Sequence, residues 1–221
     1  ILFDNSDGFI APTLSIPCIA VPSLAEKVSE LAGLFYDQPA KKLALVGVTG
    51  TNGKSTCTQL IANWTQLLGQ RGGVLGTLGN GLFGQLRATE NTTGSAISIQ
   101  QELAHFVTEH VDVAAMEVSS HGLVQHRVSA LPFAAAVFTN LSRDHLDYHH
   151  TMQVYAEAKR QIFKQTTPDH CILNADDETA REWLQQMPQA VVYGIDQQLP
   201  NHAGSFLYAT DVKYHPQGIT I

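Results

Sequence analysis

Chemistry concentrates first in Leu43–Leu60, LALVGVTGTNGKSTCTQL. There the apolar run Leu43 to Val48 leads into the turn Thr49-Gly50-Thr51-Asn52-Gly53 and then into Lys54-Ser55-Thr56, the polar start of a helix. A strand, a glycine-rich loop and a helix N-terminus in that order make a phosphate cradle. Gly50 and Gly53 let backbone N–H groups turn inward, the helix end adds partial positive charge, and Lys54 adds a full one. The hydroxyl of Ser55 or Thr56 is placed to reach a phosphate-bound Mg²⁺. The common pattern G-x-x-x-x-G-K-[ST] has glycine where this chain carries Val48; its glycines stand at 47, 50 and 53.

Two other stretches carry reactive side chains. The run Val111–Val118 ends in Met116-Glu117-Val118-Ser119-Ser120-His121-Gly122, which puts the Glu117 carboxylate at the carboxyl end of a buried strand. A second strand leads into Thr139-Asn140-Leu141-Ser142-Arg143-Asp144-His145-Leu146-Asp147-Tyr148-His149. In an open α/β sheet the carboxyl ends of the strands form the ligand crevice, so both stretches are expected beside the phosphate loop. Glu117 and His145 are then candidates for Mg²⁺, a hard cation that takes carboxylate oxygen readily and imidazole when geometry imposes it.

The elements that must hold these residues follow from hydrophobic period. Ile16–Val21 reads as a short strand. Ser23 with Glu26 makes a capping box for a helix carrying Leu24, Val28, Leu31 and Phe35, which Asp37-Gln38-Pro39 stops. After the loop, Cys57, Leu60, Ile61, Trp64, Leu67 and Leu68 form one apolar stripe, expected to pack on the sheet. Val74–Leu78 is a strand, Asn80–Thr93 a polar loop, and Ile99, Leu103, Phe106 and Val107 mark a helix. Ala134–Thr139, Cys171–Leu173 and Ala190–Tyr193 read as strands alternating with helices at Met152–Lys164 and Glu178–Gln186. The fold class expected is α/β, a doubly wound, mostly parallel sheet of the P-loop type. Phe206–Tyr214 reads as one long strand, turned at Pro216-Gln217-Gly218 into Ile219-Thr220-Ile221. Residues 1–40 read as a small remnant of a preceding α/β domain plus linker, and 41–221 as a central nucleotide-binding domain. The chain is therefore expected to be cut at both ends, with the missing Met marking a trimmed N-terminus.

Composition excludes several classes. The 221 residues are 44% hydrophobic, enough for a core, with a formal net charge of −7 and no basic cluster, which argues against a nucleic-acid surface. Cys18, Cys57 and Cys171 lie far apart without C-x-x-C, as in a reducing compartment rather than a disulfide or zinc scaffold. No apolar run approaches the ~18 residues of a membrane span and no signal segment opens the chain, so a soluble cytoplasmic protein, likewise monomeric, is expected.

TGTNGKST, ENTTGSA, EVSSHGLVQHR, FTNLSRDHLDYH, YAEAK and NADD, in this order and spacing, resemble the Mur ligases, the ATP-dependent amino-acid ligases of peptidoglycan precursor synthesis. ENTTGSA and SSHGLVQHR look most like the members that add the third residue of the stem peptide. The resemblance implies that Gly50, Thr51, Asn52, Gly53, Lys54, Ser55 and Thr56 hold the ATP phosphates, that Asn140 lies near the nucleotide, and that Ser55, Glu117 and His145 hold Mg²⁺. It implies that Asn91, Thr92, Thr93, Ser119, Gln125 and Arg127 bind UDP-MurNAc-L-Ala-D-Glu, and that Lys159 carries CO₂ as a carbamate serving a second Mg²⁺. It further implies an acyl-phosphate intermediate and addition of meso-diaminopimelate rather than L-lysine. The family's amine-binding domain and most of its uridine pocket are absent here, so this stretch alone is expected to be inactive. Competing readings are a folylpolyglutamate synthetase-like ligase and a P-loop nucleotide-binding module without amide synthesis. The first is not expected to carry SSHGLVQHR beside ENTTGSA; the second would bind nucleotide without any response to UDP-MurNAc-dipeptide.

Overall fold

Strands and helices alternate along the chain in the computed structural model, which describes residues 1–10, 13–195 and 202–220. In order they are β1 (Leu2–Phe3), β2 (Ile19–Ala20), α1 (Leu24–Phe35), a 3-10 turn (Pro39–Lys41), β3 (Ala44–Thr49), α2 (Lys54–Leu67), β4 (Gly72–Gly76), β5 (Gly79–Leu82), β6 (Gln85–Arg87), α3 (Ala96–Thr108) and β7 (Val113–Glu117). There follow α4 (Ser120–Val124), β8 (Ala135–Phe138), α5 (Leu146–His149), α6 (Met152–Gln165), β9 (His170–Asn174), α7 (Glu178–Leu184), β10 (Val191–Gly194), β11 (Phe206–Tyr208), β12 (Lys213–His215) and β13 (Gly218–Thr220).

One sheet organises them, in the order β11-β10-β9-β8-β3-β7-β4-β5-β6. The run from β11 to β4 is parallel; β5 and β6 close one edge antiparallel. β3 is central, flanked by β7 and β8, so the loops after all three strands meet at one carboxyl edge. On one face, Leu103 and Phe106 of α3, Leu123 of α4 and Ile162 of α6 are buried against Leu45, Met116 and Ala136 of the strands. Phe138, Leu173 and Trp183 continue this layer under α7, with Phe163 of α6 packed against them.

The face of α2 that meets the sheet is the one its apolar pattern does not mark. Thr58, Ala62 and Thr65 are buried, whereas Leu60, Trp64, Leu67 and Leu68, expected to pack on the sheet, are 57–78% exposed. The helix lies so close to β4 that a Cβ on Gly72 would stand 2.6 Å from the Ala62 carbonyl, and only small side chains fit between. Trp64→Ser is therefore expected to leave stability within about 0.5 kcal/mol of the parent, whereas Ala62→Leu should cost about 1–3 kcal/mol in urea unfolding. The reverse ranking would contradict this orientation.

Other expectations need correction. Ser23 does not form a capping box: its φ of 51° turns the side chain away, and the Leu24 N–H donates to Asp4 Oδ2 at 2.7 Å while the Ser23 N–H donates to Ser6 Oγ at 2.9 Å. Phe35, expected on the buried stripe of α1, is 82% exposed; Ser29, Ala32 and Gly33 face α3 instead. The expected Ile16–Val21 strand shrinks to β2, paired in parallel with β1. The loop expected over Asn80–Thr93 holds the β5–β6 hairpin, turned at Gly84 with φ 83°. The expected long strand divides, because Asp211 at φ 56° breaks the extended backbone: β11 joins the main sheet and β12 pairs with β13, the expected Ile221 end lying outside the described residues.

Candidate active site

The phosphate loop leaves β3 at Thr49 and enters α2 at Lys54, with Gly53 at φ 86° as its N-cap. Gly50 sits at φ 147°, and a Cβ there would overlap the Thr139 hydroxyl at the end of β8. Gly50→Ala should thus cost about 2–5 kcal/mol, combining backbone strain with overpacking. An unchanged urea midpoint would mean that the loop is not held this way.

The strand beside it fixes the rest of the loop. The Thr51 N–H donates to the Asn140 carbonyl at 2.8 Å, the Asn52 N–H to Asn140 Oδ1 at 3.0 Å, and Asn140 Nδ2 donates back to the Asn52 carbonyl at 3.1 Å. Thr139 Oγ1 donates to the same carbonyl at 2.6 Å. Asn140 therefore pins the outer loop. The N–H groups of Lys54, Ser55 and Thr56, in the first helical turn, have no acceptor within the helix and suit an anion.

Two lysines converge under the loop. Lys54 Nζ donates to the carbonyls of Gly50 and Thr51, both at 2.9 Å, and Lys159 Nζ, on α6, donates to the Gly50 carbonyl at 2.8 Å. Burial drops the Lys159 amine to about 7, with the charge of Lys54 adding to the depression and Asp144 opposing it. Burial also lowers Lys54, against the pull of Glu117 and Asp144. Two ammonium groups sharing one carbonyl in a buried cleft form a place where negative charge is wanted.

Glu117 ends β7 and is 2% exposed. Its Oε1 accepts the Thr77 N–H at 2.8 Å, and the Thr77 hydroxyl stands 3.3 Å from Oε2 and 3.0 Å from Thr92 Oγ1. Thr93, only 2% exposed, is a brace: its hydroxyl donates to the Glu117 carbonyl at 3.0 Å and accepts the Ser119 N–H at 2.9 Å. Ser119 Oγ caps α4 by accepting the Gly122 N–H at 3.0 Å. Arg127 donates from Nη1 to the Thr93 carbonyl at 2.7 Å and from Nη2 to Gln125 Oε1 at 2.6 Å. Thr92, Thr93, Ser119, Gln125 and Arg127 thus form one connected surface beside Glu117. Asn91 is exposed at its rim and accepts from Thr89 Oγ1 at 3.4 Å through its carbonyl.

His145, at φ 52°, begins α5 with its ring 5.2 Å from that of His121 and 6.0 Å from that of Tyr155. Sequence reasoning singled out neither Thr77 nor Tyr155 nor His149. Thr77 lies in no recognisable pattern. Tyr155 and His149 stand inside YAEAK and DYH, where attention fell on the lysine and on His145. Glu117 is a buried carboxylate whose charge acts on Lys54, and Ser55 starts the helix of that lysine, a chemistry that suits a hard cation; among the described residues no three His, Cys, Asp or Glu side chains cluster as a metal site, and His145 contacts the rings of His121 and Tyr155.

The chain matches the Mur ligase middle domain over residues 48–221. Among solved structures it resembles a UDP-N-acetylmuramoyl-L-alanyl-D-glutamate–2,6-diaminopimelate ligase at 30% identity and TM-score 0.77, over 94% of this chain and 43% of that one. It resembles a Mycobacterium tuberculosis folylpolyglutamate synthase complexed with ADP and AMPPCP at 16% identity and TM-score 0.61, over 78% and 47%. MurF from Acinetobacter baumannii aligns at 15% identity and TM-score 0.64, over 99% and 45%. The last two likenesses concern the fold alone. The chain spans less than half the length of each of these proteins.

Proposed function

The chain belongs to the Mur ligase family, and from that premise we propose that it serves an ATP-dependent ligase joining a diamino acid, meso-diaminopimelate before L-lysine, to UDP-MurNAc-L-Ala-D-Glu. The observation that carries this choice is the 30% identity, over 94% of the chain, to a diaminopimelate-adding ligase, against 15–17% for the two other ligase types. The buried lysines and the glycine loop support ATP as the phosphate donor.

In the proposed reaction a substrate carboxylate oxygen attacks the γ-phosphorus and ADP leaves, giving an acyl phosphate. The amine then attacks the acyl carbon, phosphate departs with the former carboxylate oxygen, and the nitrogen loses a proton. The chain's task is to position anions and offset their charge. N–H groups of Gly53–Thr56 and the Lys54 ammonium hold the phosphates, Lys54 leaving its own loop carbonyls to do so. Thr92, Ser119, Gln125 and Arg127 receive the sugar-peptide, with Asn91 at the rim and Thr93 bracing them. Ser55, Glu117 and His145 would hold Mg²⁺, which supplies neutralisation of phosphate charge when bound.

Lys159 is proposed to carry a carbamate. Its buried amine is partly neutral near pH 7, and a neutral amine adds CO₂ to give R–NH–COO⁻ and a proton, replacing one of the two crowded cations with an anion. Carbon-13 spectra with labelled bicarbonate should show a carbamate carbon in the parent and none in Lys159→Arg; identical spectra would reject the modification. The function itself is tested in the whole ligase that this stretch serves, since the stretch alone is expected to be inactive, by supplying ATP, Mg²⁺, UDP-MurNAc-L-Ala-D-Glu and each diamino acid and following the tripeptide by mass. Diaminopimelate product in excess of lysine product is expected. Nucleotide turnover indifferent to the sugar-dipeptide would overturn the reading in favour of a plain P-loop module.

A further inference from the structure

Three polar side chains with no role in the mechanism above are among the most buried in the molecule: Ser120 and Tyr155 at 1% exposure and His149 at 2%. They touch in series. His149 Nε2 lies 2.8 Å from Ser120 Oγ, and the imidazole stacks on the Tyr155 ring at 5.0 Å and 30°. The Tyr155 hydroxyl lies 3.3 Å from Thr51 Oγ1 in the phosphate loop, and Lys159 Nζ stands 4.4 Å over the same ring. Each member sits on a different segment: Ser120 opens α4, beside the Ser119–Arg127 surface; His149 ends α5; Tyr155 is on α6; Thr51 is in the loop.

Hydrogen-bond accounting orients the last link. Thr51 Oγ1 accepts the Ser142 N–H at 3.0 Å and lies 3.3 Å from the Ser142 carbonyl, to which it can donate its one proton. The remaining acceptor position is then filled by the Tyr155 O–H, and the hydroxyl is fully satisfied. A shift of α4 by a ligand on its surface moves Ser120. Through a buried, stacked ring pair, such a shift has a contiguous path to Tyr155 and from it to Thr51 and Lys159, because packed interiors transmit displacement.

We propose that Tyr155 is a positioning residue which, through His149 and Ser120, couples occupancy of the Ser119–Arg127 surface to nucleotide affinity at the phosphate loop. The inference rests on the proposed function, since it takes the first surface as the sugar-peptide site and the second as the ATP site. Coupling between sites is a reciprocal free energy, of the size that changes affinity about 5- to 100-fold.

The test measures AMPPCP affinity of the whole ligase that contains this chain, with and without saturating UDP-MurNAc-L-Ala-D-Glu, in the parent, in Tyr155→Phe and in His149→Phe. Tyr155→Phe keeps the ring and removes the bond to Thr51; His149→Phe keeps the stack and removes the bond to Ser120. The sugar-dipeptide should tighten AMPPCP binding at least about 5-fold in the parent and less than about 2-fold in both variants, whose thermal midpoints certify folding. A merely structural role would lower both affinities and leave their ratio intact. Should either variant fail to fold, Ser120→Ala replaces it. Binding of both ligands without coupling in the parent, or coupling that survives in the variants, would overturn this inference alone. A parent that binds neither ligand would overturn the proposed function and this inference with it.

Discussion

Lys54→Ala is expected to bind AMPPCP about 10- to 100-fold more weakly than the parent while melting within about 3 °C of it. The affinity term follows from losing a charge-assisted hydrogen bond at a partly buried site, worth about 1.5–3 kcal/mol. The small stability term has a separate cause. Without nucleotide, Lys54 bonds two carbonyls of its own loop, yet burial lowers its pKa, so the folded state gains hydrogen bonds and pays desolvation for one ammonium. The two nearly cancel, and 1 kcal/mol in a chain of this size moves the midpoint only about 2–4 °C. Calorimetric titration beside a thermal melt checks both halves. Equal AMPPCP affinity in variant and parent would remove Lys54 from the phosphate site.

The second large effect is a pH dependence set by Lys159. Its folded pKa of about 7 lies below the usual lysine value of 10.5. Between those values the unfolded chain binds the proton and the folded chain does not, so the parent gains stability as pH rises from about 7 toward 10.5. Below about 7 both states are protonated, and the penalty of burying the charge is present in full. Lys159→Met lacks this titration. In buffers freed of CO₂, the stability of the parent relative to Lys159→Met should therefore rise by roughly 3–4 kcal/mol from pH 7 to pH 10, at about 1.4 kcal/mol per unit. The difference cancels the titrating groups that Lys159 does not touch electrostatically, leaving its coupling to Lys54, His121 and His149. Parallel pH curves for the two proteins would show that Lys159 keeps an ordinary amine. Added bicarbonate should shift the parent's gain toward neutral pH, since carbamate formation draws on the same neutral amine.

How much of this was legible depends on how local its cause is. The phosphate loop was readable because a strand, Gly50 at φ 147°, Gly53 at φ 86° and a helix-opening lysine can do little else together. Glu117 was readable as a strand end, and Asn140 as the second residue after β8. The face of α2 was not, because its six apolar residues outweigh Thr58, Ala62 and Thr65 in any count of hydrophobicity. What decides the face is the close approach of Gly72 on another element. The β5–β6 hairpin was missed because Gly79-Asn80-Gly81 carries no apolar alternation, and the register comes from pairing with β4. Thr77, His149 and Tyr155 escaped for a third reason. Each acts through contacts at sequence separations of 40, 29 and 104 residues, which no local pattern encodes.

ATP consumed at this site is expected to activate a carboxylate for amide formation. UDP-MurNAc-L-Ala-D-Glu bearing heavy oxygen in the glutamyl carboxylates, given with ATP, Mg²⁺ and meso-diaminopimelate to the whole ligase that this stretch serves, tests this by following the label into released phosphate. One heavy oxygen in each phosphate is expected, matched by one tripeptide, as passage through an acyl phosphate requires. Phosphate carrying oxygen only from ATP and water would contradict it, because the γ-phosphate would then have gone to water and no carboxylate would have been activated.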